Sequence, residues 1–104
     1  MRGQPARSAV DEINALARSL HGSDAAATRY TLRSLAEHVE EVRALLDARD
    51  EHWKAETMDI IIHGLTLLRR GDVDEQAYER LMNERLARFT EKITAAGKGP
   101  VTGE

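Results

Sequence analysis

The stretch EHWKAETMDIIIHGLTLLRR, residues 51–70, decides the fold. Successive residues of an α-helix are rotated by about 100°, so the apolar side chains of this stretch cover nearly every direction around a helix axis. A helix that is apolar on most sides is normally buried on most sides. Four ionisable residues nevertheless fall within an arc of about 60° on the same helix: His52, Glu56, Asp59 and His63.

This polar stripe needs partners inside the fold. Burying ionisable groups without compensation is costly, so a cation, basic side chains or water must face the stripe. Arginines later in the chain, such as Arg80, Arg85 or Arg88, would provide a purely structural solution. A metal ion would provide a functional one. The concentration of four ionisable residues on one apolar helix favours the functional interpretation.

The rest of the chain is also predicted to be helical. Its only prolines are Pro5 and Pro100, and the residues between them are rich in Ala, Leu, Glu and Arg, which favour helices. Apolar spacing predicts a first helix over about 6–21 and a fourth over about 74–96. We therefore predict an all-α, four-helix domain over residues 1–96 with a central antiparallel helix pair, followed by a flexible tail over residues 97–104.

The sequence predicts the central part of the second helix clearly but leaves its first residue undetermined. Asp24, Thr28 and Thr31 could each cap it, and Asp50 is the predicted cap of the third helix. Its apolar residues are spaced by three and four positions, which predicts a stripe that packs against another helix. The stripe consists of Leu32, Leu35, Val39, Val42 and Leu46. The first helix carries a similar stripe of Val10, Ile13, Leu16, Ala17 and Leu20.

Composition excludes several classes of protein. The chain has 104 residues, 41% of them hydrophobic, which is typical of one folded domain. Its formal charge is −3, so it offers no strong positive field to nucleic acid or an anionic membrane. The chain has no cysteine, which excludes disulfides, thiolate metal sites and cysteine nucleophiles. No apolar run approaches the ~20 residues of a membrane span, and we expect a cytoplasmic protein.

The second helix carries a cluster of acidic residues that could face the polar stripe. Glu37, His38, Glu40 and Glu41 lie within about one turn. Carboxylates from two neighbouring helices that face one cleft form a site suited to Mg²⁺ or Mn²⁺. Acidic turns are also common on solvated helix surfaces. The cluster therefore indicates a metal site only in combination with the polar stripe on the third helix.

Together, the two segments resemble a known family. The acidic turn, followed after about fifteen residues by ETMDIIIHGLTLL at residues 56–68, is similar to the two-part ExxE and ExxD signature of the all-α nucleotide pyrophosphohydrolases. That family includes the MazG-like proteins and the phosphoribosyl-ATP pyrophosphatases. The segment Arg29-Tyr30-Thr31-Leu32 also resembles the S-Y-T of the latter. The resemblance covers about residues 28–90.

Two registers are open for the first acidic motif. Glu37 and Glu40 match the two glutamates of the ExxE motif, but His38 and Glu41 then occupy positions that are apolar in the family. Placing His38 and Glu41 on the motif instead aligns Leu32, Leu35, Val39 and Val42 with the family's apolar positions. Because burying apolar side chains stabilises a fold, the second register is preferred. An imidazole at His38 favours Mn²⁺, Fe²⁺ or Zn²⁺ over Mg²⁺ more than a carboxylate would.

The resemblance implies a metal-dependent hydrolase. The expected reaction cleaves a nucleoside triphosphate between the α and β phosphates, giving a nucleoside monophosphate and pyrophosphate, with Mg²⁺ or Mn²⁺ as cofactor. The implied metal ligands are His38, Glu41, Glu56 and Asp59, and the implied catalytic residues are Glu37, Glu41, Glu56 and Asp59, with Glu40 in place of Glu37 in the other register. Candidate substrate contacts are His63, Lys54 and Arg70.

The sequence also predicts that the chain forms an oligomer, and it leaves two alternative functions open. Three short helices can hardly enclose a helix that is apolar all round, so we expect a homodimer or tetramer. One alternative is an iron- or manganese-binding helical bundle that uses the histidines as well as the carboxylates. That class usually carries a Glu-x-x-His pair on one helix, which this sequence lacks. The other alternative is a non-catalytic helical interaction module.

Overall fold

The computed structural model describes residues 7–98, and over this range it contains four α-helices and no strands. Helix α1 spans Arg7–His21, α2 spans Asp24–Asp47, α3 spans Trp53–Arg70 and α4 spans Glu75–Lys98. The all-α prediction is therefore confirmed. The chain divides into two compact units, Met1–Asp72 with α1 to α3 and Val73–Glu104 with α4. A single domain over 1–96 stays a prediction, and residues 99–104 of the predicted tail lie outside the described range.

The predicted caps need correction at two helix starts. Helix α2 is capped by Ser23, whose hydroxyl accepts a hydrogen bond from the Ala26 N–H at 3.1 Å, so none of the three proposed residues caps it. Helix α3 begins two residues later than predicted. The Asp50 carboxylate accepts a hydrogen bond from the His52 N–H at 2.9 Å and so closes the preceding turn instead of capping the helix.

The second unit is described by α4 alone. Asp74 accepts a hydrogen bond from the Ala77 N–H at 2.8 Å at the start of this helix. The helix continues through Gly97 to Lys98 and does not stop at residue 96 as predicted. Five large apolar residues of this helix are exposed, from 41% for Met82 to 73% for Ile93, and the others are Leu81, Leu86 and Phe89. Tyr78 is partly buried.

The fully buried positions of the first unit are mostly polar. Among its described apolar residues only Val10 on α1 and Ala27 on α2 are fully buried, and others such as Leu35, Ile62 and Leu65 are partly buried. The other buried side chains in the described part of this unit carry hydrogen-bonding groups, and they are Asn14, Thr31, Ser34 and Thr66. Each buried side-chain nitrogen or oxygen that the structure describes has a hydrogen-bond partner, as a buried polar group requires.

Arg70 joins the three helices of this unit through its guanidinium. Its Nε donates to Asn14 Oδ1 on α1 at 3.1 Å, Nη1 donates to Thr28 Oγ1 at 3.1 Å and Nη2 donates to Thr31 Oγ1 at 3.2 Å. Asn14 in turn donates to the Thr66 carbonyl at 3.2 Å. The end of α3 is therefore held against α1 and the amino-terminal half of α2 by hydrogen bonds to the planar guanidinium.

The apolar stripes predicted to form the core are mostly on the outside of the described unit. Helix α3 was expected to be buried on most sides, and most of its residues are partly buried, with Thr66 the one that is fully buried. Its exposed face carries Lys54, Ala55, Met58, Ile61 and Leu68. On α1, Asn14 faces inward and makes the hydrogen bonds just described. Val10, one turn before Asn14, is buried beside it, whereas Ile13, Leu16 and Leu20 of the same stripe face outward. Exposed apolar residues include Ile13, Leu16, Leu20, Leu32, Val39, Leu46, Ile61 and Leu68.

Within residues 7–98, none of the helices is both long enough and apolar enough to cross a bilayer.

Two glycines of the first unit have opposite roles and give a matched test. Gly22 closes α1 with φ +94°, a conformation that L side chains rarely adopt, and its N–H donates to the Arg18 carbonyl at 2.8 Å. We expect Gly22→Ala to lower the free energy of unfolding by about 1 kcal/mol. Gly64 lies inside α3, and an added Cβ there meets nothing within 4 Å. We expect Gly64→Ala to raise the free energy of unfolding by about 0.5–1 kcal/mol.

Urea unfolding followed by circular dichroism measures both changes. A loss of stability in both variants would contradict the open surroundings of Gly64. A neutral Gly22→Ala would contradict the left-handed closure of α1.

Candidate metal centre

The candidate centre lies where α2 packs against α3. Helix α2 contributes His38 and, one turn later, Glu41. Helix α3 contributes Glu56 and Asp59 from its amino-terminal part and His63 from the following turn. The spacings of three and four residues keep the side chains of each helix on one face. The polar stripe predicted on the third helix thus faces the acidic turn of the second.

His38, Glu56 and Asp59 form the tightest part of the cluster. The Nδ1 of His38 and the Oε1 of Glu56 are hydrogen bonded. One ligand atom from each of His38, Glu56 and Asp59 lies within 4.8 Å of the other two. The Glu56 side chain is only 16% exposed and that of His38 is 21% exposed, so the pair is largely shielded from water. Three residues from separate turns therefore converge on one point.

Three more side chains surround this cluster. Glu41 Oε1 lies 3.6 Å from His38 Nδ1, and the Glu41 side chain is mostly exposed. His52 Nε2 lies 3.8 Å from Glu56 Oε2 and is also exposed. The His63 ring is tilted against the His38 ring with 5.3 Å between the centroids. The centre is consequently closed on the His63 side and open on the Glu41 side.

The pKa values follow from these contacts. The hydrogen bond to Glu56 raises the pKa of His38, and hydrogen bonds from His38 and then Glu41 lower the pKa of Glu56. The hydrogen bond with Glu56 raises the pKa of Glu41, which has a carboxylate as its neighbour. Burial lowers the pKa of His63, with a further contribution from the nearby His38. The pKa values of the two adjacent imidazoles are therefore shifted in opposite directions.

The donor set fits a divalent metal ion. Ligand atoms around one ion lie about 2.0–2.3 Å from it, so they are spaced by about 3–4.5 Å from one another. The ligand atoms of His38, Glu56 and Asp59 lie within 4.8 Å of one another, and the hydrogen-bonded His38 and Glu56 would have to move apart to share an ion. Their imidazole nitrogen and two carboxylate oxygens suit Mn²⁺, Fe²⁺ or Zn²⁺ better than Mg²⁺. To act as a ligand, the Nδ1 of His38 must give up the hydrogen that it shares with Glu56.

The remaining predicted site residues lie elsewhere. Glu37 is exposed and makes no hydrogen bond to another described residue. Glu40 Oε1 lies 3.7 Å from Arg43 Nε on the exposed side of α2. The Lys54 ammonium is paired with Glu51 at 2.6 Å. Arg70 follows Asp59 by eleven residues, which is about 16 Å of helix, and its guanidinium is engaged with Asn14, Thr28 and Thr31.

The reason given for the preferred register was wrong for the single chain, although that register names the residues that meet. It assumed four buried apolar residues, of which Leu32 and Val39 are 52% and 51% exposed, while Leu35 and Val42 are partly buried. The face of α2 that turns inward carries Thr31, Ser34 and His38 instead. This face places His38 and Glu41, rather than Glu37 and Glu40, beside Glu56.

The sequence interpretation missed the residues that hold the site in place. The buried residues Asn14, Ser34 and Thr66 are not among the predicted site residues, and Arg70 is predicted only as a substrate contact. A usable signal was present. Thr66 and Arg70 extend the spacing of His52, Glu56, Asp59 and His63 by steps of three and four, so the polar stripe runs the whole length of α3.

No protein-family model matches the chain, and neither the curated proteins nor the solved structures gave a significant match. The resemblance to all-α nucleotide pyrophosphohydrolases therefore rests on the residues quoted above.

The contact between His38 and Glu56 is testable in the metal-free protein. We expect an NMR titration to give His38 a pKa above its ordinary value of 6.5, and Glu56→Gln to lower it by removing the negative partner. Because the pKa of His38 is higher in the folded chain, its protonated form stabilises the fold below about pH 6.5. This contribution is lost as the pH rises through the folded-state pKa.

Glu51→Gln is the matched control, because Glu51 lies just before α3 and pairs with Lys54. This change is expected to leave the pKa of His38 unaltered. Equal pKa values in Glu56→Gln and the unaltered protein would show that the two side chains do not meet in solution.

Proposed function

We propose that this chain is a divalent-metal-dependent nucleoside triphosphate pyrophosphohydrolase that releases pyrophosphate and a nucleoside monophosphate. The observation that carries the proposal is the convergence of His38, Glu56 and Asp59, with Glu41 beside them. Clustered carboxylates on neighbouring helices are the ligands expected for an ion that binds phosphate oxygens. The resemblance of residues 56–68 to the family's ExxD helix supports the same reaction.

The proposed metal ligands are His38, Glu56 and Asp59, with Glu41 as a fourth. When bound, Mg²⁺ or Mn²⁺ would supply charge neutralisation for the polyphosphate and acidify a water that attacks phosphorus. The His38 ring is held by its contact with Glu56, and this fixes its orientation before any ion arrives. The His63 ring packs on the other side of His38 and limits the access of bulk water.

The exposed side chains of the cluster are the candidates for general acid–base catalysis. The Glu41 carboxylate lies 3.6 Å from His38 and faces solvent, a position from which it can accept a proton from an attacking water. Glu37, one turn earlier on α2, is the second candidate for this role. His52 is exposed 3.8 Å from Glu56 and can donate an N–H hydrogen bond to a phosphate oxygen.

We also propose that two copies of the chain associate. Leu32, Val39 and Leu46 recur every seven residues on α2 and are about half exposed, which is the spacing of a helix–helix seam. In the first unit, His38 contacts the start of α3 and Thr31 contacts its end, which supports an antiparallel α2–α3 pair. A second copy would cover the seam without obstructing the inward face of α2.

A second function is favoured by one specific observation. The His38 and His63 rings lie 5.3 Å apart within reach of two carboxylates, and mixed imidazole and carboxylate sets are typical of iron or manganese proteins. In this alternative the chain binds a transition metal without nucleotide turnover.

Release of pyrophosphate tests the first proposal. The assay uses a panel of canonical and modified nucleoside triphosphates with Mg²⁺ and with Mn²⁺. We expect Glu56→Gln and Asp59→Asn each to lower kcat/KM by at least about 100-fold, because each removes a charged group at the centre of the cluster. We expect Glu41→Gln to be strongly impaired as well.

Glu40→Gln is the control, since Glu40 lies on the same turn as Glu41 but pairs with Arg43. Near-normal activity in Glu40→Gln together with loss in Glu41→Gln supports the proposed site. The opposite pattern would assign the motif to Glu37 and Glu40. No turnover of any nucleotide, with stoichiometric iron or manganese in the purified protein, would favour the second function.

Association is tested by sedimentation equilibrium. Val39→Glu places a charge in the centre of the α2 seam, so we expect it to shift the protein from dimer to monomer. Ala44→Glu adds the same charge on the other side of the helix and is expected to remain dimeric. A monomeric parent protein would overturn the proposed association.

A further inference from the structure

A cleft of about 410 Å³ lies at the opposite end of α3 from the metal centre. It is formed by the first turns of α2 and the last turn of α3, and its lining residues are Asp24, Ala25, Thr28, Leu67, Arg70 and Gly71. The distance of about 16 Å between Asp59 and Arg70 along α3 separates it from the metal centre. The cleft is therefore a second place at which a small molecule could bind.

Arg70 brings an unneutralised positive charge to this cleft. Its three hydrogen bonds all go to neutral oxygens, those of Asn14, Thr28 and Thr31, and none of the ion pairs among residues 7–98 includes it. A guanidinium has five N–H bonds, so two are left without a described partner. A half-buried cation in this state attracts an anion, and its planar N–H groups match two oxygens of a carboxylate or phosphate.

Thr28 adds a second donor. The other threonines of the first unit, Thr31, Thr57 and Thr66, each donate their hydroxyl hydrogen to a backbone carbonyl three or four residues earlier. Thr28 accepts from Arg70 at 3.1 Å but donates to no described residue, so its hydrogen is free to point into the cleft. A ligand oxygen there can accept from both Thr28 and Arg70.

The other charges at the cleft leave Arg70 dominant. The Asp24 carboxylate lines the cleft, but its Oδ1 lies 3.0 Å from Arg18 Nε, which offsets its charge. Arg70, Asp24 and Arg18 together carry a net charge of +1. The amino-terminal turn of α2 also points its positive dipole end toward this region, which adds to the attraction for an anion. The side chains of Ala25 and Leu67 complete an apolar wall.

We infer that this cleft binds the oxyanion group of a small molecule, a phosphate or a carboxylate, through Arg70 and Thr28. The site does not depend on a metal ion. Its occupant would sit across the junction between α2 and α3 and bridge the helices that Arg70 already connects. Anion binding in this cleft does not require the proposed hydrolase activity.

The test is an NMR titration of the full chain after EDTA has removed divalent metal ions and has itself been dialysed away, with chloride keeping the ionic strength constant. Inorganic phosphate and acetate are added separately, and the signals of Ala25, Thr28 and the Arg70 side chain are followed. We expect saturable shifts of these signals. Saturation by phosphate alone, by acetate alone or by both supports the site, and the pattern shows whether it binds phosphates, carboxylates or both. The absence of saturation by either anion would overturn it.

Charge variants at Ala25 give the sharper outcome, because Arg70→Met removes a contact that holds three helices and could unfold the chain. Ala25→Glu places a negative charge at the mouth of the cleft while suiting the first turn of a helix. We expect Ala25→Glu to raise the dissociation constant of the anion by about tenfold or more. We expect Ala25→Lys to lower it. Ala44→Glu and Ala44→Lys are matched controls farther along α2 and are expected to bind as the unaltered chain does. Equal binding by both Ala25 variants would overturn the site.

Discussion

The hydrogen bonds of one guanidinium determine how the first unit is put together. Arg70 reaches α1 through Asn14 and α2 through Thr28 and Thr31, so the positions of three helices depend on one planar group. Such a group can satisfy several oxygens only when they lie in set directions, which makes the packing specific in a way that apolar contacts do not. Once Asn14 and Thr31 must face Arg70, the rotation of α1 and α2 about their own axes follows.

The same constraint produces the candidate metal centre. With Thr31 directed at α3, the residue seven positions later on α2, His38, also faces α3 and meets Glu56. Arg70 and Glu56 thus lie near opposite ends of one polar seam, with Thr66 buried between them. The seam places a cation at one end and carboxylates at the other. Ligands of opposite charge are therefore expected at its two ends, a metal ion at the acidic end and an oxyanion at the basic end.

The sequence predicted the helices well and their orientation poorly. Periodicity and the scarcity of proline indicated four helices, and the polar stripe on the third helix indicated which face meets the second. It did not reveal that α1 turns Asn14 inward, because a single polar residue beside an apolar stripe carries little weight until its partner is known. The partner, Arg70, is fifty-six residues away. Hydrogen bonds between distant residues leave no periodic pattern, whereas apolar stripes do, and in this chain the two disagree.

The outward apolar stripes have a thermodynamic consequence. The first unit fully buries only Val10 and Ala27 among its described apolar side chains, and residues such as Ile62 and Leu65 are only partly buried, so unfolding it alone exposes less apolar surface than unfolding a closed core would. The heat-capacity change of unfolding should then be small, and the curve of stability against temperature should be flat. If a second copy covers the seam, most of the apolar burial belongs to the complex. The melting temperature would then rise with protein concentration, because folding and association become one equilibrium.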